Sequence, residues 1–299
     1  MTTVATGVVS AATARMTRFM SLVRVRHPST LVSTDIATRE TTLRVALRSF
    51  FVVVLFWWSA TGIVFALERT AATRMMGLLV ASLMAAWGAS LVYLERDRDT
   101  PSAARRSFLG GAFLWTWIQV CFYGGWLIGP PELRRPIPAE PLTFSLAVRA
   151  VHSMLWYELG MLGVLVLAWA LTRRSVNKVG WHAALLFWCV HQTASVAIYL
   201  GVENPGRGFF PEPLAYLESY FGPQRNSLFL PIAMAVVLAY TLFTAIYAIR
   251  EQQPARRQSR MLLVVIGALS VLELAVLGTP MNLPIWDSLW EAFLAVRGY

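Results

Sequence analysis

Lysine is almost missing from this chain of 299 residues, because Lys178 is the only lysine among 26 basic residues. A retinal protein needs a lysine in one of its last membrane spans to form the Schiff base, and Lys178 lies in a polar segment just after Arg173 and Arg174. Charge is scarce as well, with 14% of residues charged and 57% hydrophobic. Soluble domains carry about 25% charged residues. The composition therefore excludes both a retinal protein and an ordinary soluble domain.

Cysteine and closely spaced metal ligands are also scarce. Cys121 and Cys189 both lie in apolar stretches, and the sequence has no CxxC pair, so we interpret them as small buried hydrophobic residues. No HxxxH, HxxHH, ExxH or HExxH pattern occurs anywhere in the sequence. Their absence argues against membrane di-iron oxygenases and desaturases and against intramembrane zinc proteases.

Long apolar runs are what the chain has instead. Each run is long enough to cross a hydrocarbon core of about 30 Å, and each must satisfy its backbone hydrogen bonds internally, which predicts an α-helix. We therefore predict an all-α polytopic membrane helix bundle with one domain over 45–278. Its seven predicted spans are 45–67, 75–94, 108–129, 147–171, 179–201, 228–249 and 261–278.

The basic residues predict how this bundle is oriented. Most of the 26 basic residues fall in the N-terminal tail and in the second, fourth and sixth loops. Cytoplasmic loops carry the excess of arginine and lysine, so the N-terminus is predicted to be cytoplasmic and the C-terminus to lie on the other side. The net charge of +10 is then explained by topology and by contact with anionic lipid rather than by nucleic acid.

Three segments outside the spans have their own predicted character. Residues 1–44 form a basic tail that is disordered or associated with the membrane surface. The loop between the fifth and sixth spans carries a short interfacial helix, since Pro213 suits a first helical turn and apolar residues recur after it. Residues 279–299 form a second amphipathic segment, because Trp286, Trp290 and Phe293 recur at helical spacing.

The third predicted span carries a polar residue within an aromatic stripe. Trp115, Gln119, Phe122 and Trp126 fall on one face of a continuous helix. Such a face could contact a flat pigment or a quinone. The simpler alternative is helix packing with one amide hydrogen bond.

Ionisable residues inside spans are expensive and are candidates for function. His152 and Glu158 do not share a face of a continuous fourth span, and His182 and His191 lie on opposite faces of the fifth. These spacings exclude a metal pair made by either couple, although a single histidine such as His191 could ligate the magnesium of a chlorophyll-type pigment. Glu158 must be paired or protonated, and Glu273 is expected to snorkel or to pair with an arginine.

The loop after the fifth span is the remaining candidate surface. Asn204 lies in a turn sequence, Phe210 returns to an apolar surface, and Tyr216 and Tyr220 belong to the predicted interfacial helix. We predict a rigid cap with aromatic edges that either docks a partner or simply anchors the loop at the interface.

Several ordered motifs resemble one known family. They are Phe56-Trp57-Trp58-Ser59-Ala60-Thr61-Gly62, the span Trp115 to Pro130 with its final Gly-Pro, Tyr157-Glu158-Leu159, Leu200-Gly201-Val202 with Asn204, Phe210-Pro211, and Ser219-Tyr220-Phe221 with Asn226. This pattern resembles the photosynthetic complex assembly protein 2 (PuhE-like) family over residues 50–249. The chain resembles a divergent member of that family, because Gln119 replaces an expected glutamate, and His191, Ser195 and Ala197 replace basic and amide residues.

The resemblance implies a role in building a bacterial photosynthetic complex. It implies location in the bacterial inner membrane, reaction-centre or light-harvesting polypeptides as partners, and bacteriochlorophyll as the pigment that such a protein would handle. The candidate pigment or partner contacts are Trp115, Gln119, Trp126, His152, Glu158, His191, Asn204, Phe210, Tyr216 and Tyr220.

Two other classes of function stay open. One is an enzyme, or a partner of an enzyme, in bacteriochlorophyll or quinone metabolism, which would need convergent ionisable groups. The other is a small-molecule transporter. The scarcity of catalytic motifs favours a non-enzymatic assembly factor or accessory subunit over both.

Overall fold

The computed structural model describes residues 28–67, 70–137, 143–207 and 210–280, and the backbone alone over 28–40. The chain divides into two units, 1–44 and 45–299. The described residues form helices, as predicted, and no strand occurs among them. The predicted C-terminal amphipathic segment and most of the predicted tail lie outside the described residues.

Eight α-helices make up the described structure. They are α1 Pro28–Leu67, α2 Ala71–Glu95, α3 Pro101–Tyr123, α4 Phe144–His152, α5 Leu155–Thr172, α6 Val179–Leu200, α7 Phe229–Arg250 and α8 Pro254–Leu277. A 3-10 helix, Glu212–Tyr220, lies in the loop between α6 and α7. Among the described residues, six helices are long and apolar enough to cross a membrane, and they are α1, α2, α5, α6, α7 and α8.

The third predicted span differs from the other six. Its helix, α3, begins at Pro101 and ends at Tyr123, six residues before the predicted end. It is the central helix, packing against α2, α5, α6 and α8, and many of its residues are buried. Because a helix surrounded by protein does not face lipid, it tolerates the arginines, glycines and glutamine that lower its hydropathy.

Small residues allow α3 to approach its neighbours closely. A Cβ atom at Gly111 would clash with the carbonyl oxygen of Gly180 on α6, and a Cβ atom at Gly180 would lie 2.5 Å from the carbonyl oxygen of Ser107. The Gly180 amide also donates to the Ser107 hydroxyl across this contact (3.1 Å). Backbone contact of this kind stabilises helix pairs in lipid, where no hydrophobic effect drives them together.

The loops collect at two ends of the bundle. At one end, Asn177 donates to the carbonyl oxygens of Glu95 and Arg96, and Arg106 pairs with Glu95 at 2.7 Å. At the other end, the loop after α6 meets the end of α8. These contacts place the loops in two groups, one at each end of the bundle. Helix α3 runs between the same two ends as the six candidate spans.

The fourth predicted span is not one helix, and the prediction of a continuous helix over 147–171 is wrong. The chain breaks between α4 and α5 at Ser153 and Met154. The Ser153 carbonyl oxygen accepts from the Gly129 amide (2.8 Å) and from the Tyr216 hydroxyl (2.7 Å). These donors supply the hydrogen bonds that a break in a helix inside a membrane protein requires.

Helix α1 also differs from its prediction, since it begins at Pro28 rather than at residue 45. Its buried Ser49 accepts from the Gln258 amide of α8 (2.7 Å), and Gln258 in turn accepts from Arg105 of α3 (3.1 Å). A buried polar chain of three side chains therefore joins α1, α8 and α3 near one end of the bundle.

Candidate functional site

A half-enclosed pocket of about 220 Å³ lies between four helices of the bundle, and we name it the inner cavity. Its walls come from α1, α3, α6 and α8. Its lining residues are Trp57, Ala60, Val64, Trp115, Thr116, Gln119, Tyr123, Phe187, Val190, His191 and Glu273. Helical spacing explains the convergence, because Trp115, Gln119 and Tyr123 recur every four residues on α3, as Phe187 and His191 do on α6.

Four polar atoms of this lining are buried without a hydrogen-bond partner among the described residues. They are Trp115 Nε1, Gln119 Oε1, His191 Nε2 and Glu273 Oε2. Buried polar atoms in native proteins are nearly always hydrogen-bonded, and each exception calls for an explanation. Four exceptions around one cavity indicate that this part of the protein is built to contact something other than its own side chains.

A second cavity, of about 190 Å³, lies beneath the loop between α6 and α7, and we name it the cap cavity. It shares Tyr123, His191 and Glu273 with the inner cavity, so these three residues stand between the two. Tyr220 also lines it, and its hydroxyl has no partner within the described part of the chain.

Glu273 is the residue that sequence reasoning placed wrongly. It was expected to snorkel or to pair with an arginine, but it faces the two cavities, and no described salt bridge includes it. Glu273 lies within the last apolar helix, and its position along that helix does not show which neighbouring helices its side chain faces. Its contact with α3 and α6 depends on how α8 is rotated, which a single helix sequence does not specify.

Tyr157 is a second residue near the inner cavity, and its sequence context did not identify it as a candidate. It is completely buried, its hydroxyl accepts from Gln119 Nε2 (3.4 Å), and its ring lies 5.1 Å from the His191 ring and 4.8 Å from Phe122. Tyr157 therefore contacts two residues of the inner cavity, Gln119 and His191. The adjacent Glu158 was the candidate because it is charged. Adjacent helical residues point about 100° apart, so Tyr157 faces a different neighbour.

Glu158 itself faces away from the inner cavity. Its Oε1 accepts from Gln192 Nε2 (2.6 Å) and its Oε2 accepts from Trp188 Nε1 (3.1 Å), both on α6. The expectation that this residue needs a partner is confirmed, and the partners are two neutral donors one helical turn apart. Glu158 therefore joins α5 to α6 and does not converge with Gln119 and His191.

Two other predicted residues also lie outside the inner cavity. Trp126 does not continue the stripe of Trp115, Gln119 and Phe122, because α3 ends at Tyr123 and Gly125 turns the chain with φ +83°. His152 is exposed at the end of α4. The prediction of a single face that includes Trp126 is wrong because the helix is shorter than the apolar run.

The loop between α6 and α7 is a cap held at several points. Gly201 ends α6 with φ +116°, a backbone conformation that favours glycine. The Asn204 amide donates to the Leu277 carbonyl oxygen (2.9 Å), and Asn226 Nδ2 donates to that of Gly278 (2.8 Å). These bonds fix the loop to the end of α8.

The aromatic residues of the cap face the bundle. Tyr216 and Tyr220 are 5% exposed, and Phe210 stacks on Tyr123 with ring centroids 6.2 Å apart. Burial raises the pKa of Tyr216 to about 12, so its hydroxyl keeps the proton that it donates to Ser153. The two tyrosines therefore face inward, because Tyr220 lines the cap cavity and Tyr216 is bonded to Ser153.

His182 lies in a cleft at the opposite end of the bundle. The cleft, about 380 Å³, is also lined by Arg98, Lys178, Arg256 and Arg260. His182 and His191 thus line different pockets, which agrees with the prediction that they lie on opposite faces of one helix. Among the described residues, no group of three histidine, cysteine or acidic side chains is placed to hold a metal ion.

The size of the cavities bears on pigment binding. A cavity of about 150 Å³ holds one benzene ring, so neither the 220 Å³ nor the 190 Å³ cavity accommodates the four-pyrrole macrocycle of a bacteriochlorophyll. His191 Nε2 has the chemistry of an axial magnesium ligand, but the space in front of it does not fit that group.

Comparison with known proteins gives one family and one curated relative. The family model described as "Protein of unknown function (DUF3623)" matches residues 44–297. The chain is 28% identical over 235 residues to a Rhodobacter capsulatus protein described as "Uncharacterized 30.4 kDa protein in puhA 5'region", which covers 77% of this chain and 83% of that protein. No solved structure matches the chain at a significant level.

Proposed function

Because the chain belongs to the DUF3623 family, we propose that it shares a role with its relative from the puhA region, as an integral membrane factor for assembling a bacterial photosynthetic complex. The observation that carries the proposal is that relative, which aligns with 77% of this chain. Its gene region hints at a photosynthesis-related membrane protein. The PuhE-like motifs between residues 50 and 249 support the finer proposal of a reaction-centre or light-harvesting partner.

The proposed location is the bacterial inner membrane with the N-terminus in the cytoplasm. The six apolar helices and the relative support the membrane. The orientation follows from the basic residues that collect at one end of the bundle, around Glu95, Asn177 and the basic cleft.

Cysteine labelling tests the orientation. In a chain carrying Cys121→Ser and Cys189→Ser, we expect a membrane-impermeant maleimide added from outside to label Glu132→Cys and not Asp97→Cys. Both positions are exposed, and they lie in loops at opposite ends of the bundle. Labelling of Asp97→Cys alone would show that the orientation is opposite to the proposed one.

The proposed docking face is the exposed side of α2. Trp87 is 59% exposed although it lies eight residues from the end of α2, which is about 12 Å into the helix. Tryptophan is enriched at the headgroup level and in the buried centres of protein interfaces. A tryptophan exposed at this depth therefore supports a protein partner on α2.

Co-purification tests the assembly role. A tagged chain extracted in mild detergent from photosynthetically grown cells is expected to retain reaction-centre or light-harvesting polypeptides, seen by mass spectrometry and by the absorption spectrum. Trp87→Ala should reduce that recovery about tenfold, the loss of roughly 1.4 kcal/mol at a buried interface anchor.

The matched control is Trp169→Ala on α5. Trp169 is also exposed, at 48%, but lies near the end of its helix, so we expect unchanged recovery. If the wild-type chain retains neither these polypeptides nor pigment, the assembly role is wrong. If Trp87→Ala and Trp169→Ala behave alike, the partner does not bind at α2.

A further inference from the structure

We propose that the inner cavity binds the head group of a hydroquinone, a single ring that carries two hydroxyl groups. The four unpartnered polar atoms around the cavity, two from α3 and one each from α6 and α8, carry this inference. It goes beyond the proposed assembly role and does not rest on it, because the argument uses only the geometry of the described residues.

The chemistry of these atoms defines what the ligand must offer. Trp115 Nε1 can only donate, so the ligand needs an acceptor. Gln119 Oε1 can only accept, so the ligand also needs a donor. His191 and Glu273 can each take either role according to protonation. Hydroxyl groups both donate and accept, whereas the carbonyl oxygens of an oxidised quinone only accept. The set therefore fits the reduced ring better than the oxidised one.

The size of the cavity selects one ring. If about 150 Å³ holds the six carbons of benzene, 220 Å³ holds a six-membered ring with about three further non-hydrogen atoms at the same packing. A hydroquinone ring with its two oxygens and a small substituent is of that size. The adjoining cap cavity provides apolar space next to His191 for further substituents.

The aromatic walls fit a flat ring that partitions into lipid. Trp115 and Phe187 stack with centroids 4.8 Å apart and an interplanar angle of 20°, and Trp57 lies 5.5 Å from Phe187. Aromatic rings favour offset stacking and edge contacts with another ring.

The test uses the full-length protein in lipid nanodiscs with two probes, methylhydroquinone and its oxidised quinone, which match the calculated size of one ring with three further non-hydrogen atoms. Binding is measured by equilibrium dialysis under anaerobic conditions. We expect saturable binding of the hydroquinone, at least fivefold tighter than that of the quinone. Trp115→Phe, which removes one donor and keeps an aromatic ring, should weaken hydroquinone binding about 5- to 10-fold.

A second variant and two controls keep the result interpretable. Glu273→Leu should weaken hydroquinone binding more than tenfold, since an acceptor and donor position is lost. Trp156→Phe, at an exposed tryptophan of α5, and Glu132→Gln, at an exposed glutamate between α3 and α4, should bind the probe as the wild type does. Retained thermal unfolding transitions show that the variants are folded.

Three results would overturn the proposal. They are no saturable binding of the hydroquinone by the wild type, equal binding of the reduced and oxidised probes, and equal binding by the wild type, Trp115→Phe and Glu273→Leu. The co-purification experiment is independent of all three, so failure of the hydroquinone site is distinguishable from failure of the assembly role.

Discussion

Replacing Glu273 with leucine is expected to raise the apparent midpoint of thermal unfolding of the purified protein by about 3–8 °C in the absence of added ligand. Glu273 Oε2 is buried without a partner among the described residues, and an unsatisfied buried polar group costs about 1–3 kcal/mol. Leucine has a similar volume and no polar atom. For a domain of this size 1 kcal/mol corresponds to about 2–4 °C.

The measurement is a thermal unfolding scan of detergent-solubilised wild type and variant at one fixed heating rate. Glu132→Leu is the matched control, because Glu132 is exposed between α3 and α4, and we expect its midpoint within about 1 °C of the wild type. A lower midpoint for Glu273→Leu would mean that Glu273 is satisfied in the protein and stabilises the fold.

Replacing Glu158 with leucine is expected to have the opposite effect and to lower the midpoint by about 4–8 °C. The change removes two acceptors at once and leaves Trp188 Nε1 and Gln192 Nε2 without their present partner. A buried donor left without a partner costs about 1–3 kcal/mol, these two donors are only half-buried, and interhelical bonds in membranes average about 0.6 kcal/mol. A loss of about 2 kcal/mol follows.

Two further variants identify the cause. Glu158→Gln keeps one carbonyl acceptor and should lose about half as much stability. The triple variant Glu158→Leu, Trp188→Phe, Gln192→Leu removes both donors with the acceptor, and we expect it to recover most of the loss, because apolar groups of similar shape leave nothing unsatisfied. Equal midpoints for the triple variant and Glu158→Leu would exclude unpartnered donors as the cause.

The two carboxylic acids thus separate a structural residue from a binding residue. Glu158 has its partners within the bundle, so removing it weakens the contact between α5 and α6. Glu273 Oε2 has none among the described residues, so we expect it to lower the stability of the protein when no ligand is bound. Loss of stability at functional positions is a general trade-off in proteins.

The positions of several helices followed closely from the apolar runs. The predicted spans 179–201 and 228–249 differ from α6 and α7 by one residue at each end at most, because a lipid-crossing helix needs a fixed length of apolar sequence. Hydropathy does not report where a helix breaks inside an apolar run. It therefore missed both the end of α3 at Tyr123 and the break at Ser153, where donors from elsewhere in the chain replace the helical hydrogen bonds.

The sequence by itself determined that this protein is an all-helical membrane bundle, that its charged loops fall into two groups, and that Trp115, Gln119 and His191 are candidate contacts. These are properties of single helices, which depend on local length, composition and spacing. Only the tertiary structure decided that Gln119, His191 and Glu273 surround one cavity, while Glu158 is occupied with Trp188 and Gln192. That distinction depends on the rotation of α3, α5, α6 and α8 relative to one another, which is fixed by packing between helices distant in the sequence.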